Sequence, residues 1–588
     1  MDNFHVDYGA NNYQYFLEKS YDNRNIIKIE DIDNKKMFYI GSKYSVQRDI
    51  DKFLKQINDF NVSTIFLVFG FGAGEHIFKL LDEVGENNKI LIIEPDKKVI
   101  NIIKKSGYFD EILKDKRVLL SELNISIIEI LSSFIDEINI NNIKLMVFAN
   151  YDKIYLNEFK EFYKKLNDFL LTNIINMNTN ISFSEQFFKC FIRNLKHVFY
   201  SVFINDFKDQ FKNIPAVVVS AGPSLEKNVE LLKDAQKQFI IITGIRTVST
   251  LNAKGINPDF VCVVDPSEKM YQVSKKSLNC KSTLVFCECT NYKIVEEYEG
   301  KKIFFQEGVN LQKVTREILD AKVDSLWAGG SVAHTCTALA RYMGCNPIIF
   351  IGQDFAYTND KYHADSASDV NNNITDSNDI IFVDDINGEK VRTSKLLDTY
   401  RKNMEQFIRL SPNTLFINST EGGANIIGTK VEPLRCAIDE YAQEGNLSKS
   451  IVDLMNKTNS INKIDVLNKV KQILDDLEVL EEKCVSAIDY SNEFLKYYEK
   501  ENEKSIKPLI DNINDINSLI YNIEFIENIL KPTIYKILMN PEYIEKMNEA
   551  KKETEYRLAK QVKELYEGII KAIDMSIPYI KECITELN

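Results

Sequence analysis

Residues 217–225 combine an apolar strand with a loop of small residues, and this combination could hold a phosphate. The sequence V-V-V-S-A-G-P-S-L begins with three β-branched residues, which predict a strand too apolar for the surface. In the loop, Gly222 adds backbone freedom, Pro223 restricts φ, and Ser224 is suited to cap a following helix. A helix start reached through such a loop offers unpaired N–H groups to an anion. A strand-to-helix turn without any ligand is the alternative.

A second block, at residues 327–363, is expected to lie beside this loop. Gly330 and Ser331 precede a helix of small residues, and a buried strand at 347–351 is followed closely by Asp354 and Tyr357. Ligands of open α/β sheets bind at the carboxyl ends of the strands. We therefore expect one crevice formed by the following positions: 220–224, Gly244, Asp265, Ser331 and 354–357.

Two histidines of this region, His334 and His363, are candidate general bases because imidazole accepts protons near neutral pH. His334 stands on the helix of small residues, where packing in the core is the alternative role. His363 follows Tyr362 in a long polar segment, 358–391, which is typical of a lid or of a disordered loop. A solvated loop histidine is the alternative for His363. The carboxylates that could serve instead are Glu421 and Asp354.

A glycine-rich stretch nearer the N-terminus has the residue order of a nucleotide-binding half-sheet. An apolar strand ends in Gly70, Gly72 and Gly74, and a helix follows. The next strand ends in Glu94 and Asp96, about 20 residues after the glycines. This order resembles the start of a methyltransferase-like Rossmann domain. A degenerate Rossmann domain that binds nothing is the alternative.

Length and charge exclude several classes of protein. A chain of 588 residues predicts three or four domains. The net charge of −13 and a pI near 5.2 argue against broad binding of nucleic acid or of anionic membranes. The sequence has no signal-peptide pattern and no uncharged apolar segment of about 18 residues, so we expect a cytoplasmic protein. The ten cysteines include no CxxC pair, which disfavours both a zinc ribbon and a disulfide framework.

Changes in periodicity divide the chain into four segments. Strands alternating with helices predict Rossmann-like domains at 1–156 and 214–445. Aromatic residues at helical spacing predict a helical connector at 157–213, and apolar stripes without strands predict an all-α bundle at 446–588. The expected fold class is multidomain α/β, with a C-terminal helical domain that serves recognition or self-association.

Five segments of the middle region carry a family resemblance. They read S-A-G-P-S-L, I-N-P-D-F-V-C-V-V-D-P, G-G-S-V-A, G-Q-D-F-A-Y and S-T-E-G-G-A-N-I-I-G-T. Together they resemble the motility-associated factor (Maf) proteins, flagellin glycosyltransferases of bacteria whose central domain is related to sialyltransferases using CMP-sialic acid. The layout matches Maf proteins over nearly the whole chain. The resemblance implies transfer of a nonulosonic acid, of the pseudaminic or legionaminic type, from its CMP donor to Ser or Thr of flagellin, supporting flagellum assembly and motility.

The resemblance also implies roles for individual residues. The G-P-S loop that holds the donor phosphate in sialyltransferases is matched at 222–224, and Gly244 and Asp265 fall where those enzymes have asparagines contacting the donor. Tyr357 and Tyr362 match two tyrosines that touch the phosphate leaving group. The donor-binding residues implied are Ser220, Gly222, Pro223, Ser224, Gly244, Asp265, Pro266, Gly330 and Ser331. The catalytic candidates are His363, Glu421, Asp354, Tyr357 and Tyr362.

One residue of the sialyltransferase pattern is missing. Its catalytic histidine falls near Arg392 and Thr393, where this chain has none. Either another residue is the base, or the reaction needs less assistance from one. Arg246 and Arg392 are candidates to stabilise the departing phosphate. Asp265 is a single acid rather than the D-x-D of metal-dependent transferases, so we expect catalysis without a metal ion or other cofactor.

Two other functions remain as alternatives. The same central domain occurs in archaeal hydroxymethylpterin diphosphokinases, which would need ATP and magnesium. A non-catalytic flagellin-binding or assembly factor would need only the long helical ends. The sequence does not distinguish between the two nonulosonic acids, and it leaves the oligomeric state open.

Overall fold

The structure is a computed structural model that describes residues 12–499 with short gaps, isolated positions between 507 and 543, and residues 550–588. The gaps are 59, 62, 105–107, 124–126, 136–138, 308–311, 359–360, 362, 365–366, 368–378 and 444–446. The positions described between 500 and 549 are 507, 511–512, 515–516, 537 and 540–543. The first of two compact units comprises Met1–Ser182, Val485–Ile513 and Lys531–Gly568. The second comprises Phe183–Cys484, Asn514–Leu530 and Ile569–Asn588.

The first unit contains two small sheets. Its strands are β1 (Tyr13–Lys19), β2 (Asn25–Asp31), β3 (Lys36–Ile40), β4 (Ile65–Phe69), β5 (Lys89–Glu94), β6 (Val118–Glu122) and β7 (Ile143–Val147). The helices that begin in it are α1 (Val46–Leu54), α2 (Glu75–Glu83), α3 (Lys97–Lys104), α4 (Tyr108–Leu113), α5 (Ile127–Phe134), α6 (Tyr151–Ile154) and α7 (Leu156–Val198). β1, β2 and β3 pair antiparallel, and four parallel strands lie in the order β6-β5-β4-β7. β4 is apolar and buried throughout, as expected for a parallel strand covered on both faces.

The second unit is built on one large sheet. Its strands are β8 (Val202–Phe203), β9 (Ala216–Val219), β10 (Ile240–Gly244), β11 (Phe260–Val263), β12 (Thr283–Phe286), β13 (Lys302–Phe304), β14 (Ile348–Ile351), β15 (Ile380–Asp384), β16 (Lys390–Ser394), β17 (Phe416–Asn418) and β18 (Lys430–Val431). The remaining helices are α8 (Leu225–Asn228), α9 (Leu232–Ala235), α10 (Ile245–Ala253), α11 (Glu268–Ser274), α12 (Tyr292–Glu297), α13 (Gln312–Leu319), α14 (Val332–Tyr342), α15 (Lys395–Arg409), α16 (Leu434–Tyr441), α17 (Leu447–Leu454), α18 (Lys463–Glu499) and α19 (Lys551–Leu587). Short 3-10 turns occupy Ile204–Phe207, Val229–Leu231, Lys275–Ser277 and Pro541–Tyr543.

The order of the nine strands determines where a ligand can bind. The sheet runs β18-β17-β14-β9-β10-β11-β12-β13-β8, and all its strand pairs are parallel. From β9 the chain builds outward to β13, and it then returns to place β14 on the other side of β9. This reversal between β9 and β14 is a topological switch point, where loops diverge at the carboxyl ends and leave a crevice. The expected α/β class is confirmed.

The described part of the predicted lid includes a β-strand, so it is not entirely a loop. Within 358–391, residues from Ile380 onward form β15, which pairs antiparallel with β16. Asn387 and Gly388 lie in the turn between them, and Gly388 has φ +86°, which favours glycine. An apolar run, 380–383, followed by an Asn-Gly turn is a sequence signal of a hairpin. Position 362 and the stretch 368–378 lie outside the described residues.

Beyond residue 446 the described residues form helices and the short segments that connect them, and no strand is found among them. α18 carries a predicted apolar stripe, in which Val470, Leu477, Leu480 and Cys484 are buried. A second predicted stripe, at 513–530, lies mostly outside the described residues. None of the described helices combines the length and the apolarity that a bilayer span requires. The boundaries proposed for the four domains stay predictions.

Candidate functional site

The switch point brings the loop after β9 against the loop after β14. The backbone N–H of Gly222 donates to the carbonyl oxygen of Gly352 at 2.8 Å, and Ser220 Oγ donates to Oε1 of Gln353 at 2.6 Å. A Cβ atom at position 222 would lie 2.4 Å from the oxygen of Gly352 and 2.5 Å from Oδ1 of Asp354. Gly222 is therefore required for the close approach of the two loops.

Asp354 joins these loops through both of its carboxylate oxygens. Ser224 donates its backbone N–H to Oδ2 at 3.0 Å and its hydroxyl to Oδ1 at 2.5 Å. Both residues are buried, and burial raises the pKa of Asp354 while the hydrogen bonds from Ser224 lower it. Ser224 stands at the N-cap position of α8, but its backbone is helical rather than extended and its side chain makes no capping bond, so the predicted cap is wrong. The helix is also short, since α8 ends at Asn228 before a 3-10 turn.

The backbone donors of the segment 220–224 are largely occupied. The N–H groups of Ser220, Gly222 and Ser224 all donate to acceptors on β14 or the loop after it, at 2.8–3.0 Å. Pro223 has no N–H. The prediction of several unpaired N–H groups is therefore wrong, because a neighbouring strand supplies acceptors that the sequence does not place. The N–H groups of Ser220, Gly222 and Ser224 are therefore not available to an anion in this crevice.

The turn after β14 contains a strained residue. Phe355 has φ +47°, a left-handed conformation that is costly for an aromatic residue. Hydrogen bonds on both sides hold it there: Thr393 Oγ1 donates to the carbonyl oxygen of Phe355 at 2.8 Å, and Ala424 N–H donates to that of Asp354 at 2.7 Å. Such over-determined strain is typical of functional sites.

The segment that corresponds to the sialyltransferase histidine does border this turn. The backbone N–H of Tyr357 donates to the carbonyl oxygen of Arg392 at 2.9 Å, and Thr393 is fully buried beneath the turn. An arginine cannot act as a base at neutral pH, and the hydroxyl of Thr393 is already a donor to Phe355. Neither residue can therefore replace that histidine as a base.

A serine and a histidine form a pair at the start of α14. Ser331 Oγ lies 2.8 Å from Nδ1 of His334, and Nε2 of His334 lies 2.9 Å from the carbonyl oxygen of Tyr400. A carbonyl only accepts, so Nε2 carries the proton and Nδ1 accepts the hydroxyl of Ser331. His334 is fully buried, and burial lowers its pKa to about 4. It is therefore neutral at pH 7, with both ring nitrogens engaged.

Tyr400 of α15 connects this pair to the ends of β10 and β11. The space beside Gly330, which has φ +95°, is filled by the Tyr400 ring, 2.6 Å from where a Cβ atom would lie. Burial raises the pKa of Tyr400, and the charge of Asp265 raises it further. A Cβ atom on Gly244 would lie 2.9 Å from Cγ1 of Val332, so β10 packs closely on the first residue of α14. These contacts bring Gly244, Asp265, Gly330 and Ser331 into one region.

His363 lies beside the loop after β9. Its imidazole hydrogen-bonds to the backbone of Ala221, and the next residue, Ala364, donates its N–H to the Ala221 carbonyl oxygen at 2.8 Å. Burial lowers the pKa of His363 to about 4, and the positive charges of Arg246 and Lys269 contribute. At neutral pH the side chain is therefore an uncharged imidazole at the edge of the crevice.

Two predicted residues are not grouped with the others, and a third lies outside the described residues. The side chain of Glu421 is exposed, and its carbonyl oxygen accepts from Lys227 Nζ at 2.7 Å. The carbonyl oxygen of Pro266 faces α7, where it accepts from Nε2 of Gln186 at 2.9 Å. Tyr362 lies outside the described residues.

Comparisons with known proteins match this architecture. Residues 189–360 match a family model described as MptE-like, "6-hydroxymethylpterin diphosphokinase MptE-like". A solved structure of a Maf glycosyltransferase from Magnetospirillum magneticum AMB-1 is similar over 98% of this chain and 94% of that chain, with a TM-score of 0.56 and 15% identity. The chain has the Maf fold. Among curated proteins, none matches the sequence.

Two features of the site in this Maf fold escaped the sequence analysis. Tyr400 stands in an amphipathic helix, and nothing in its sequence neighbourhood distinguishes it from a packing residue. The pairing of Ser331 with His334 had a usable signal, since a spacing of three places both on one side of a helix start. That relation is visible only when His334 is considered together with Ser331.

In the first unit of this Maf fold, contacts within the protein account for the glycines of the loop after β4. The backbone N–H of Phe71 donates to Oε2 of Glu94 at 2.8 Å, and that of Gly72 donates to the hydroxyl of Tyr151 at 2.8 Å. Tyr151 in turn donates to Glu94 at 2.7 Å. A Cβ atom on Gly70 would lie 2.3 Å from the Tyr151 ring. The loop thus accommodates a tyrosine and a carboxylate at the donors that a nucleotide phosphate would use.

The buried carboxyl group of Glu94 makes the stability of the first unit dependent on pH. Burial raises its pKa from 4.5 to about 8, despite the hydrogen bonds that it accepts. The folded state therefore binds this proton more tightly than the unfolded state, so stability is full below about pH 4.5 and declines as pH rises through about 8. We expect a loss of about 3–5 kcal/mol from this group across that window.

Calorimetric unfolding between about pH 5 and pH 8 measures this effect. Glu94→Gln is expected to flatten the pH dependence, whereas Glu86→Gln, at an exposed position, should retain the wild-type slope. An unchanged slope in Glu94→Gln would show that Glu94 is ionised in the folded state throughout.

Proposed function

We propose that the protein is a glycosyltransferase that moves a nonulosonic acid, of the pseudaminic or legionaminic type, from a CMP donor to Ser or Thr of flagellin. The observation that carries this proposal is the likeness of 98% of the chain to a solved Maf glycosyltransferase. The crevice at the switch point of the large sheet supports it, because such crevices bind nucleotides. The C-terminal helical region is proposed to bind flagellin, in the cytoplasm, and the product would serve flagellum assembly and motility.

The donor is proposed to lie across the carboxyl ends of β9, β10, β11 and β14. Asp354 and Ser224 act here as positioning residues, since each is buried and engaged by the other. Ser331, at the start of α14, and Asp265, after β11, are also proposed to contact the donor. The complete set proposed to contact or support the donor is Ser220, Gly222, Pro223, Ser224, Gly244, Asp265, Pro266, Gly330 and Ser331.

The proposed reaction exchanges one bond at the anomeric carbon of the sugar. The oxygen of the acceptor hydroxyl bonds to this carbon, the bond from the carbon to the phosphate oxygen breaks, and CMP leaves with the electron pair. Negative charge therefore develops on the phosphate, where positioned donors and cations have the largest effect on rate. Arg246, Arg392, Tyr357 and Tyr362 are the side chains proposed for this role.

The proton of the acceptor hydroxyl is proposed to pass to His363. This imidazole is neutral at pH 7 because burial and the charge of Arg246 lower its pKa, so it has a lone pair to accept a proton. His334 is fully buried and hydrogen-bonded at both nitrogens. Asp354 is engaged by Ser224, and the exposed Glu421 remains the carboxylate alternative.

Ligand-induced thermal stabilisation tests the proposed donor class. CMP, at about 100 times its Kd and with EDTA present, is expected to raise the melting temperature of the full chain by about 5 °C. UMP is the matched control, because it differs from CMP only in the base. Among the described residues, no three His, Cys, Asp or Glu side chains are placed to share a metal ion. A CMP response that requires added manganese would contradict a metal-independent transferase.

A pterin diphosphokinase is a second candidate, because residues 189–360 match the family model of that description. The match ends in the loop after β14 and does not include the hairpin β15-β16 or the helices α15 to α19. Stabilisation by ATP with a pterin, and none by CMP, would favour the kinase. A lack of response to every nucleotide would favour a non-catalytic flagellin-binding or assembly factor.

A further inference from the structure

The turn between β11 and α11, residues 264–267, carries the half-buried carboxylate of Asp265. Its Oδ1 accepts the backbone N–H of Ser267 at 2.8 Å, and within the part of the chain that the structure describes only this oxygen has a hydrogen-bond partner. Burial and then the charge of Asp265 raise the pKa of Tyr400, whose ring lies beside Gly330, so the carboxylate is close to the crevice. A carboxylate only accepts hydrogen bonds, so the group that it recognises in a ligand is a donor such as a hydroxyl.

Asn291, in the loop after β12, holds this turn by its carbonyl oxygens. The backbone N–H of Asn291 donates to the carbonyl oxygen of Asp265 at 3.1 Å. The side-chain Nδ2 of Asn291 donates to the carbonyl oxygens of Pro266 and Ser267, at 2.9 and 3.2 Å. One fully buried residue therefore bonds the three successive carbonyl groups of residues 265–267.

Thr290 holds the same turn at its beginning. Its Oγ1 donates to the carbonyl oxygen of Val263, the last residue of β11, at 2.7 Å. The same oxygen accepts the backbone N–H of Cys287 at 3.1 Å, so it connects the ends of β11 and β12. Thr290 is also fully buried.

Two amide side chains of α7, within the second unit, complete this network. Nε2 of Gln186 donates to the carbonyl oxygen of Pro266 at 2.9 Å. Nδ2 of Asn194 donates to the carbonyl oxygens of Glu288 and Thr290, at 3.1 and 2.7 Å. Gln186 thus supports the turn directly, and Asn194 supports the loop that holds it.

The chemistry of this network indicates a role beyond packing. Burying amides and hydroxyls is unfavourable unless they are hydrogen-bonded, and apolar side chains would cover the end of a sheet without that requirement. A buried polar network whose members are bonded instead fixes one conformation of the backbone. The conformation fixed here is that of the turn that carries Asp265.

We propose that Asn291, Thr290 and Gln186 are positioning residues for the sugar-nucleotide donor. They hold the turn 264–267 so that the Asp265 carboxylate accepts a hydroxyl of that donor. The inference rests on the proposed function, because it requires the donor to occupy this crevice. The three residues act through Asp265, and a small displacement of a positioned group is enough to lower the rate.

Asn291→Ser tests this role in the full-length protein. Asn291 caps α12 by accepting the N–H of Lys293 at 3.1 Å, and serine can also cap a helix. The serine hydroxyl lies one bond closer to the backbone, so it does not reach Pro266 and Ser267. We expect kcat/KM for a CMP-activated nonulosonic acid to fall about tenfold, mainly through a higher KM for the donor.

Gln186→Met is a second, milder variant. Methionine is of similar length and favours helices, and position 186 is only half-buried, so the variant should fold. It removes the bond to the Pro266 carbonyl oxygen, and kcat/KM for the donor should fall about fivefold. Glu185→Gln, at the neighbouring exposed position of α7, is the matched control and should retain wild-type kinetics.

Coupling to Asp265 separates positioning from a general loss of stability. Asp265→Ala should lower kcat/KM at least as much as Asn291→Ser does. Once the carboxylate is absent, adding Asn291→Ser should lower kcat/KM no further, because the two substitutions affect the same contact. A purely structural role would instead give effects that multiply. Each variant is assayed below its own melting temperature.

The proposal is overturned if either Asn291→Ser or Gln186→Met retains wild-type kcat/KM, or if the effects of Asn291→Ser and Asp265→Ala multiply. If Asn291→Ser does not fold, Gln186→Met with and without Asp265→Ala decides by the same criterion. Wild-type protein that neither responds to CMP nor transfers the sugar would overturn the proposed function and this role together. Normal wild-type transfer with variant effects that multiply would overturn the positioning role alone.

Discussion

Asp354→Ala is expected to destabilise the second unit by about 2–5 kcal/mol. The substitution leaves the N–H and the hydroxyl of Ser224 buried without their acceptor, and each such donor costs about 1–3 kcal/mol. Because these two bonds join the loops at the switch point, transferase activity should fall as well. Urea unfolding followed by tryptophan fluorescence measures the effect. The single tryptophan, Trp327, lies in the second unit and reports on it directly.

Ser224→Ala provides the matched comparison for Asp354→Ala. It removes one hydrogen bond and keeps the backbone N–H bond to Asp354, so its cost should be smaller, about 1–2 kcal/mol. The double variant should cost less than the sum of the two, since both substitutions disrupt the same contact. Additive effects would mean that the two side chains do not interact in solution.

His363→Ala is expected to lower kcat of sugar transfer by about 10²–10⁴-fold, the usual contribution of a general base. The proposed base must be neutral, so wild-type activity should be present above the His363 pKa, about 4, and should be lost as pH falls through it. The variant should lack this acid limb. Steady-state rates measured across pH give both the fall in kcat and the acid limb. The substrates are a CMP-activated nonulosonic acid and purified flagellin.

A measurement of CMP binding to His363→Ala distinguishes a catalytic role of His363 from a structural one. CMP-induced stabilisation should persist in His363→Ala, because the base acts on the acceptor hydroxyl rather than on the nucleotide. His334→Gln is a useful contrast, since it disrupts the bonds to Ser331 and Tyr400 and should change stability as well as rate. A rate for His363→Ala within a few-fold of wild type would remove this residue from the mechanism and direct attention to Glu421.

The two glycine loops of the chain have similar sequences, but glycine is required in each for a different structural reason. Gly70 is required because the Tyr151 ring fills the space where its Cβ atom would lie. The hydroxyl of Tyr151, 79 residues after Gly72, accepts the N–H of Gly72, and the ring of Phe148 packs against that glycine. Gly222 is required because the backbone of Gly352 passes within hydrogen-bonding distance. For both patterns, the sequence left a phosphate loop and a turn that binds nothing as alternatives. In both, a distant part of the chain occupies the backbone donors.

The position of the candidate site could be predicted from the sequence, but the contacts between its side chains could not. Runs such as 216–219 and 348–351 are apolar because parallel strands are covered on both faces, and ligand-facing residues follow such strands directly. That logic located the loops of Gly222 and Asp354. Nothing local indicated that Ser224 would be bound by Asp354 or that Tyr400 would meet His334. The roles assigned to the site residues stay predictions until the variants are measured.

By itself, the sequence determined the α/β class, buried strands such as β4, β5, β9 and β14, and the helical C-terminal region, because each follows from the pattern of neighbouring residues. The tertiary structure alone decided which strands are adjacent, which donors are already engaged, and which side chains from distant segments fill a loop or hold a turn. The reason is physical: hydrogen bonding and burial depend on distances between residues far apart in the chain, and only the folded sheet sets those distances.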